Sequence, residues 1–324
     1  MACAVHRAPA YHCREVGEFE LIARLAGALG ETGPGVLLGI GDDAAVLPPD
    51  LVVSTDLVVE DVHFRRATTG LADLGWKALA VAVSDLAAMG AAPLGAVVGL
   101  ALGSGWSADE AVAIYEGVGE CARECGCPVV GGDVSRAAVL MLAVTVFGRT
   151  AAPATRGGAQ VGDVLAVTGS LGGSEAGRLL LEAGAADSAA AAALAHRHLR
   201  PVPRVADGRI LAPHVHAMLD VSDGVASDAR RLADAGGVCV EVDLDALPVQ
   251  PGVEEVAAAR GVEPGAFAAT GGEDYELLVA LPEAALATSG VPLTRVGRIL
   301  AGTGVRFTGA GADEALAGFD HLQS

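Results

Sequence analysis

Apolar residues in GEFELIARLAGAL (17–29) recur at helical spacing, which predicts a short amphipathic helix with Glu18 and Glu20 in its first turn. A glycine-rich turn follows, and VLLGIGDDAAVL and LVVSTDLVV then read as strands interrupted by acids. Those acids therefore belong to strand ends or adjoining turns. Residues 71–90 (LADLGWKALAVAVSDLAAMG) predict a helix, with Asp73 and Lys77 at i, i+4 and Gly90 as the stop signal. Val81, Asp85 and Met89 share one stripe of it, which sets an aspartate among apolar side chains. A strand at 95–102 leads to a helix at 107–125, opened by a Ser107/Glu110 capping box, and PVVGGD and VLMLAVTVFG (139–148) resume strand character. The second half repeats the alternation: strand VLAVTGS, a helix near 173–183, an alanine-rich surface helix or loop (184–195), HLRPVPRV, AMLDVSDG, a helix at 226–237, strand VCVEVDL (238–244) and a loop TGGEDYELLVAL (270–281). Strands alternating with helices predict two packed α/β domains. The small-residue stretch RTAAPATRGGAQVGD (149–163) is the boundary, giving an extension at 1–13, a first domain at 14–150 and a second at 151–324.

Composition narrows what such a molecule does. A formal charge of −19 argues against nucleic acid or an anionic membrane as partner, since neither approaches without a basic face. Lys77 is the only lysine, so no G-x-x-x-x-G-K-[ST] phosphate loop exists. The six cysteines form no C-x-x-C pair; Cys121, Cys125 and Cys127 in CARECGCP read as reduced thiols at a helix end. MACAVHRAPAYHCREV lacks an apolar core of the secretory kind, which predicts a cytoplasmic protein. The apolar run at 86–103 carries Pro93 and repeated glycines, and so reads as helix end, turn and buried strand rather than a membrane span.

The candidate chemistry lies in five acidic segments: GDDAAV (41–46), STD (54–56), SDLAAMGA (84–91), GGD (131–133) and DVSDG (220–224). Two unit charges about 4 Å apart repel by roughly 4 kcal/mol at an effective dielectric of ~20. Converging carboxylates therefore protonate or hold cations, and oxygen-only ligands select hard ions such as Mg²⁺ or Mn²⁺. Each segment alone also has a plain reading. Asp42 and Asp43 can end a strand, Ser222 or Asp223 can cap a helix, and Asp56 can belong to a turn. Gly39, Gly41 and Ala44 imitate a G-x-G-x-x-A fingerprint, but two adjacent carboxylates repel a pyrophosphate. Asp85 is the most specific signal, because an aspartate on an apolar helix stripe is costly unless paired or metal-bound. His196 and His198 at i, i+2 cannot point the same way from a helix, so they do not read as a metal pair.

In order along the chain, GEFELIARL, GIGDDAAV, STDLVVEDVHF, WKALAVAVSDLAAMGAAP, GGDVSR, TRGGAQVGD, HLRPVPRV, DVSDG and GGEDYEL resemble the thiamine-monophosphate kinase family, within the ATP-binding superfamily of aminoimidazole ribonucleotide synthetase. Ala82 stands where the family usually has asparagine, and Val225 where it has leucine; neither change removes a carboxylate. The resemblance implies an α/β (α+β) fold of the two-domain aminoimidazole ribonucleotide synthetase-like kind, as a homodimer with the strands near 52–59 and 94–102 at or near the contact. It implies ATP-dependent phosphorylation of thiamine monophosphate to thiamine diphosphate, with several Mg²⁺ ions. Carried over position by position, Asp43, Ser54, Thr55, Asp56, Asp85, Asp133, Asp220 and Asp223 would be the metal ligands, with Asp43, Asp85 and Asp220 central to catalysis. Gly132, Asp133, Arg156 and Ser222 would contact ATP, and His63, Glu273 and Phe319 the thiamine phosphate. Two superfamily alternatives fit less well. A selenophosphate synthetase would need a catalytic lysine near its N-terminal loop, and a hydrogenase-maturation protein a C-terminal cysteine, where this chain ends FDHLQS.

Overall fold

The computed structural model describes residues 18–29, 35–313 and 315–319; the predicted extension at 1–13 lies outside them. After helix α1 (Glu18–Leu29), five strands form one sheet: β1 (Ala45–Leu47), β2 (Leu51–Val59), β3 (Ala92–Leu102), β4 (Val129–Arg136) and β5 (Met141–Arg149), in the order β1-β2-β5-β3-β4. Only the β3/β4 pair is parallel. A parallel neighbour needs a long crossover, and helix α3 (Ala108–Cys125) supplies it, opened by the Ser107/Glu110 capping box and closed by Gly126 at φ 64°.

Helix α2 (Leu71–Ala88) is the hub of the molecule. Fourteen of its residues are buried, from Leu74 to Ala88, as expected of a helix that is apolar nearly all round. It lies against β2, β5 and α3 on one side, and against β7 (Ala217–Asp220) and α6 (Val205–Leu211) of the second half on the other. Small residues allow these approaches. A Cβ on Gly75 would stand 1.8 Å from the Ile114 carbonyl, and one on Gly117 would stand 1.8 Å from that of Ala72.

The second sheet runs β11-β8-β10-β6-β9-β7, with β6 (Val164–Val167), β8 (Cys239–Asp243), β9 (Leu277–Leu281), β10 (Thr294–Leu300) and β11 (Gly304–Thr308). Helices α4 (Gly173–Ala183), α5 (Ala189–Leu199), α7 (Val225–Gly236), α8 (Val253–Ala259), α9 (Pro264–Thr270) and α10 (Glu283–Leu286) surround it. β6, β7 and β9 are buried throughout, which explains their unbroken apolar runs. The apolar segment at 86–103 divides into the end of α2, a turn at Gly90 and β3, and no described helix is long and apolar enough to cross a membrane.

Two local expectations change. Asp56 lies inside β2, because pairing with β5 continues for nine residues from Leu51 to Val59. β4 runs through GGD, as the strand reading of PVVGGD predicts, with Asp133 opposite Gly99. Asp73 does not pair with Lys77 but with Arg200, whose Nε stands 2.5 Å from Asp73 Oδ1, while Lys77 turns toward the second half of the chain.

Candidate active site

Four elements deliver the central acids. Asp43 stands in the turn before β1, Ser54 and Asp56 on β2, Ser84 and Asp85 late in α2, and Asp220 at the end of β7. One oxygen each from Asp43, Asp85 and Asp220 lies within 4.8 Å of the others. Ser54 Oγ donates to Asp85 Oδ2 at 2.5 Å, and Ser84 Oγ to Asp220 Oδ2 at 2.6 Å, so two hydroxyls from β2 and α2 hold the facing carboxylates. Burial, and then the charges of Asp56, Asp220 and Asp43, push the Asp85 carboxyl well above its ordinary value. Burial and Asp43 push Asp220 up to about 7. Burial raises Asp43 too, although Arg156 opposes it. Asp43 Oδ2 is buried with no hydrogen-bond partner. Crowded carboxylates with an orphaned oxygen and no soft ligand fit a hard divalent cation.

Two arginines meet this acidic wall. Arg156 is hydrogen-bonded to Asp43, and its backbone N–H donates to Asp42 Oδ2 at 3.1 Å. Arg231, from α7, is hydrogen-bonded to Asp223 and donates to the fully buried Asp228 at 2.9 Å.

Asp85 and Asp220 of the cluster line a cavity of about 290 Å³, which Asp56, Ser222 and Asp223 also line. His63, Glu273 and Phe319 line it as well, joined by Lys77, Glu175 and Arg178. The imidazole of His63 is set by its Nδ1, which accepts from Val59 N–H at 3.0 Å. Phe319 is anchored by its own N–H, which donates to the Asp223 carbonyl at 3.0 Å. Glu273 and Tyr275 adopt left-handed backbone at φ 66° and 52°, a strain that for non-glycine residues persists where the surroundings enforce it. Three bonds enforce it here: Glu273 N–H to Ser222 O at 2.7 Å, Tyr275 N–H to Val221 O at 2.9 Å, and Gly172 N–H to Asp274 Oδ2 at 2.6 Å.

Three predicted residues join neither this cavity nor the acidic cluster within one chain. Thr55 alternates to the other face of β2, where its hydroxyl lies 3.2 Å from the Val144 carbonyl and 3.0 Å from Thr145 Oγ1. Gly132 and Asp133 are exposed on the edge strand β4, in a separate concavity with Tyr115 and Val134. Asp133 shares a row with Gly99, Ala143 and Leu57, so three inter-strand spacings of about 4.8 Å, roughly 14 Å in all, separate it from β2. Period-2 alternation, applied to β2 from sequence, would have separated Thr55 from Ser54 and Asp56. Lys77, Ser84 and Arg231 were missed as site residues; only the uniqueness of the lysine and the adjacency of Ser84 to Asp85 offered a signal.

Two family models match: the AIR synthase related protein N-terminal domain over residues 41–150, and the corresponding C-terminal domain over 160–309. The chain is 39% identical to a thiamine-monophosphate kinase of Rhodopirellula baltica, over 84% of this chain and 86% of that one. It is 37% identical to that of Escherichia coli K12, over 94% and 98%. Among solved structures, "AaThiL complexed with AMPPCP and TMP" superposes with a TM-score of 0.89 at 32% identity, covering 97% of this chain and 100% of that one. The thiamine monophosphate kinase from Aquifex aeolicus gives 0.84 at 32% identity, over 94% and 99%. A hydrogenase maturation protein, HypE, shares the fold alone, at 21% identity and a TM-score of 0.67 over 89% and 93%. With two domain models matched in order and full-length relatives above 30% identity, the chain belongs to the thiamine-monophosphate kinase family of AIR synthase related proteins.

Proposed function

We propose that this chain transfers the γ-phosphoryl group of ATP to the phosphate of thiamine monophosphate, forming thiamine diphosphate and ADP. The observation that carries the reading is the cluster of Asp43, Asp85 and Asp220, opening into a cavity whose other lining residues suit an organic acceptor. The relatives' printed name and the AMPPCP and TMP of the structural neighbour support the choice of substrates.

An oxygen of the acceptor's phosphate attacks the γ-phosphorus in line, and the bond from that phosphorus to the β–γ bridging oxygen breaks as ADP leaves. The attacking oxygen is anionic near neutral pH, so no strong base is required of the protein. Mg²⁺ ions, when bound, would neutralise the two polyanions and the charge on the transferring group. Asp43, Asp85 and Asp220 would hold them, with Asp56 and Asp223 beside them, and Ser54 and Ser84 fix the carboxylates by donating to them. Arg156, hydrogen-bonded to Asp43, would clamp a phosphate of ATP, and Ser222, which lines the cavity, would meet ATP as well. His63, Glu273 and Phe319 would meet the thiamine portion.

Thr55, Gly132 and Asp133 require a second copy of the chain for their proposed roles, since they lie on the outward face or edge of the first sheet. A homodimer through that face is part of the proposal. So are a domain division at 150/151 and residence in the cytoplasm, which suits the free thiols of Cys121, Cys125, Cys127 and Cys239. The test is incubation with γ-labelled ATP, Mg²⁺ and thiamine monophosphate, beside free thiamine and a metal-free control. Label in thiamine diphosphate, only with the monophosphate and metal, is expected. ATP hydrolysis without label transfer would remove the acceptor.

A further inference from the structure

Lys77 is the only lysine of the chain and is 2% exposed in α2. A buried ammonium is costly without a partner. Its partner is Glu273, from the other half of the chain: Nζ stands 2.8 Å from Oε1 and 2.9 Å from Oε2. Glu273 is fixed from further sides by its left-handed backbone, by the bond of its N–H to Ser222, and by His198 Nδ1 at 3.3 Å from Oε2. His198 is itself held by Ser174 Oγ at 3.0 Å. Despite this, 27% of the Glu273 side chain stays open to the cavity.

Helix α2 sets the scale of the site. Lys77, Val81 and Asp85 follow one another at i, i+4, i+8 along the cavity wall, and eight residues of helix span about 12 Å. The acidic cluster therefore holds the phosphates at one end, and the Lys77–Glu273 pair faces the organic body of the acceptor at the other.

We infer that Lys77 is a positioning residue for the acceptor: it holds Glu273 as a charge-compensated hydrogen-bond acceptor that reads a neutral amine, the exocyclic amine of an aminopyrimidine, in preference to a ring cation. This deepens the proposed function and rests on it. The pair has no net charge, so a thiazolium gains little Coulomb energy beside it. A carboxylate has about four lone-pair sites, and the ammonium does not exhaust them. The same ammonium keeps Glu273 ionised. Burial raises its proton affinity, but the Lys77 ammonium opposes this, and the carboxyl is held below its ordinary range.

The experiment is a double-mutant cycle of wild type, Lys77→Met, Glu273→Gln and the double variant, each with ATP and Mg²⁺. The acceptor is thiamine monophosphate or its analogue with oxygen in place of the exocyclic amine. Wild type is expected to prefer the amine by at least about 10-fold in kcat/KM, the effect of leaving one buried acceptor unpaired. Lys77→Met should raise the acceptor KM about 10-fold, leave the ATP KM within roughly twofold and flatten the preference for the amine. The double variant should be no worse than the poorer single one, because both changes remove the same interaction. Multiplying losses, an ATP KM that rises in step with the acceptor KM, or a preference that survives in Lys77→Met would overturn the assignment. Melting curves check folding; if Lys77→Met fails to fold, Lys77→Gln enters the same cycle. Absence of transfer by wild type would remove the functional reading itself, whereas transfer with multiplying losses removes only the role of Lys77.

Discussion

Asp85, a proposed metal ligand, works against the stability of its own fold. Its carboxyl is crowded by Asp56, Asp220 and Asp43 in a place burial already makes hostile to charge. Replacing it with asparagine removes the repulsion and keeps the Ser54 hydroxyl paired. Asp85→Asn is therefore expected to raise the stability of the metal-free protein by on the order of 1 kcal/mol, to lower turnover at least about 100-fold, and to show none of the rise in melting temperature with Mg²⁺ that is expected of the wild type. Melting with and without Mg²⁺ checks all but the turnover; a variant still stabilised by Mg²⁺ would take Asp85 out of the ligand set. His198 makes a prediction in pH. Burial, then the charges of Lys77 and Arg178, depress its imidazole to about 3, against the pull of Glu273. The unfolded chain takes up this proton near its ordinary value of about 6.5, so between these values the unfolded state holds more protons. This contribution is complete above about 6.5 and is lost as pH falls toward 3. Wild type should lose melting temperature from pH 7.5 to 5 more steeply than His198→Asn. Parallel slopes would mean that His198 carries no such linkage.

At the scale of elements, α2 is held by contacts that leave no room for a side chain. Gly75 and Gly117 face each other's helices at backbone distance, and Gly208 of α6 meets the Ala87 carbonyl, where a Cβ would stand 2.0 Å away. Gly117→Ala must push α3 off α2, at a cost of about 1–3 kcal/mol, and should raise the acceptor KM by way of the displaced Lys77. Denaturant unfolding measures the first and steady-state kinetics the second; an unchanged midpoint would show that the helices separate freely. These contacts also mark what the sequence left unread. The helical period announced α2, and the capping box announced the start of α3. Asp85 stood out because the chemistry of one residue contradicted its stripe. Which glycine faced which carbonyl depended on partners forty residues away. Lys77 was misread for the same reason: Asp73 at i−4 was the local partner, but burial against Glu273, 196 residues on, won. The strand through GGD was legible from the run PVVGGD although glycine and aspartate are depleted in strands, and pairing with β3 gives it a ladder.

The whole molecule poses an electrostatic question, since two copies each of charge −19 repel. The outward face of the first sheet offers the means of association. Along the middle of its rows lie Val53, Thr55, Leu57, Val97, Thr145 and Phe147, with the charged Arg149 and Asp133 toward its margins. The free edge of β4 exposes Val130 and Val134, and an unpaired edge with apolar residues is a template for another chain. A stable pair needs to bury more than about 1,000 Å² in total, which a five-stranded face can supply. Charges elsewhere then act at longer range, where about 10 Å of screening at 0.1 M salt weakens them. Dimerisation should therefore tighten with salt up to physiological strength, the reverse of an interface built on ion pairs. Thr145→Arg puts a charge at the middle of that face, on the side of the sheet opposite the Asp43, Asp85 and Asp220 cluster, and is expected to halve the mass seen by light scattering at micromolar concentration. If Asp133 and Thr55 serve the site of a second copy, the same variant also loses ATP affinity while keeping the Asp43, Asp85 and Asp220 cluster intact. A monomeric variant that binds ATP as wild type does would confine the nucleotide site to one chain; a wild type that is itself monomeric would remove the dimer and leave β4 an exposed edge.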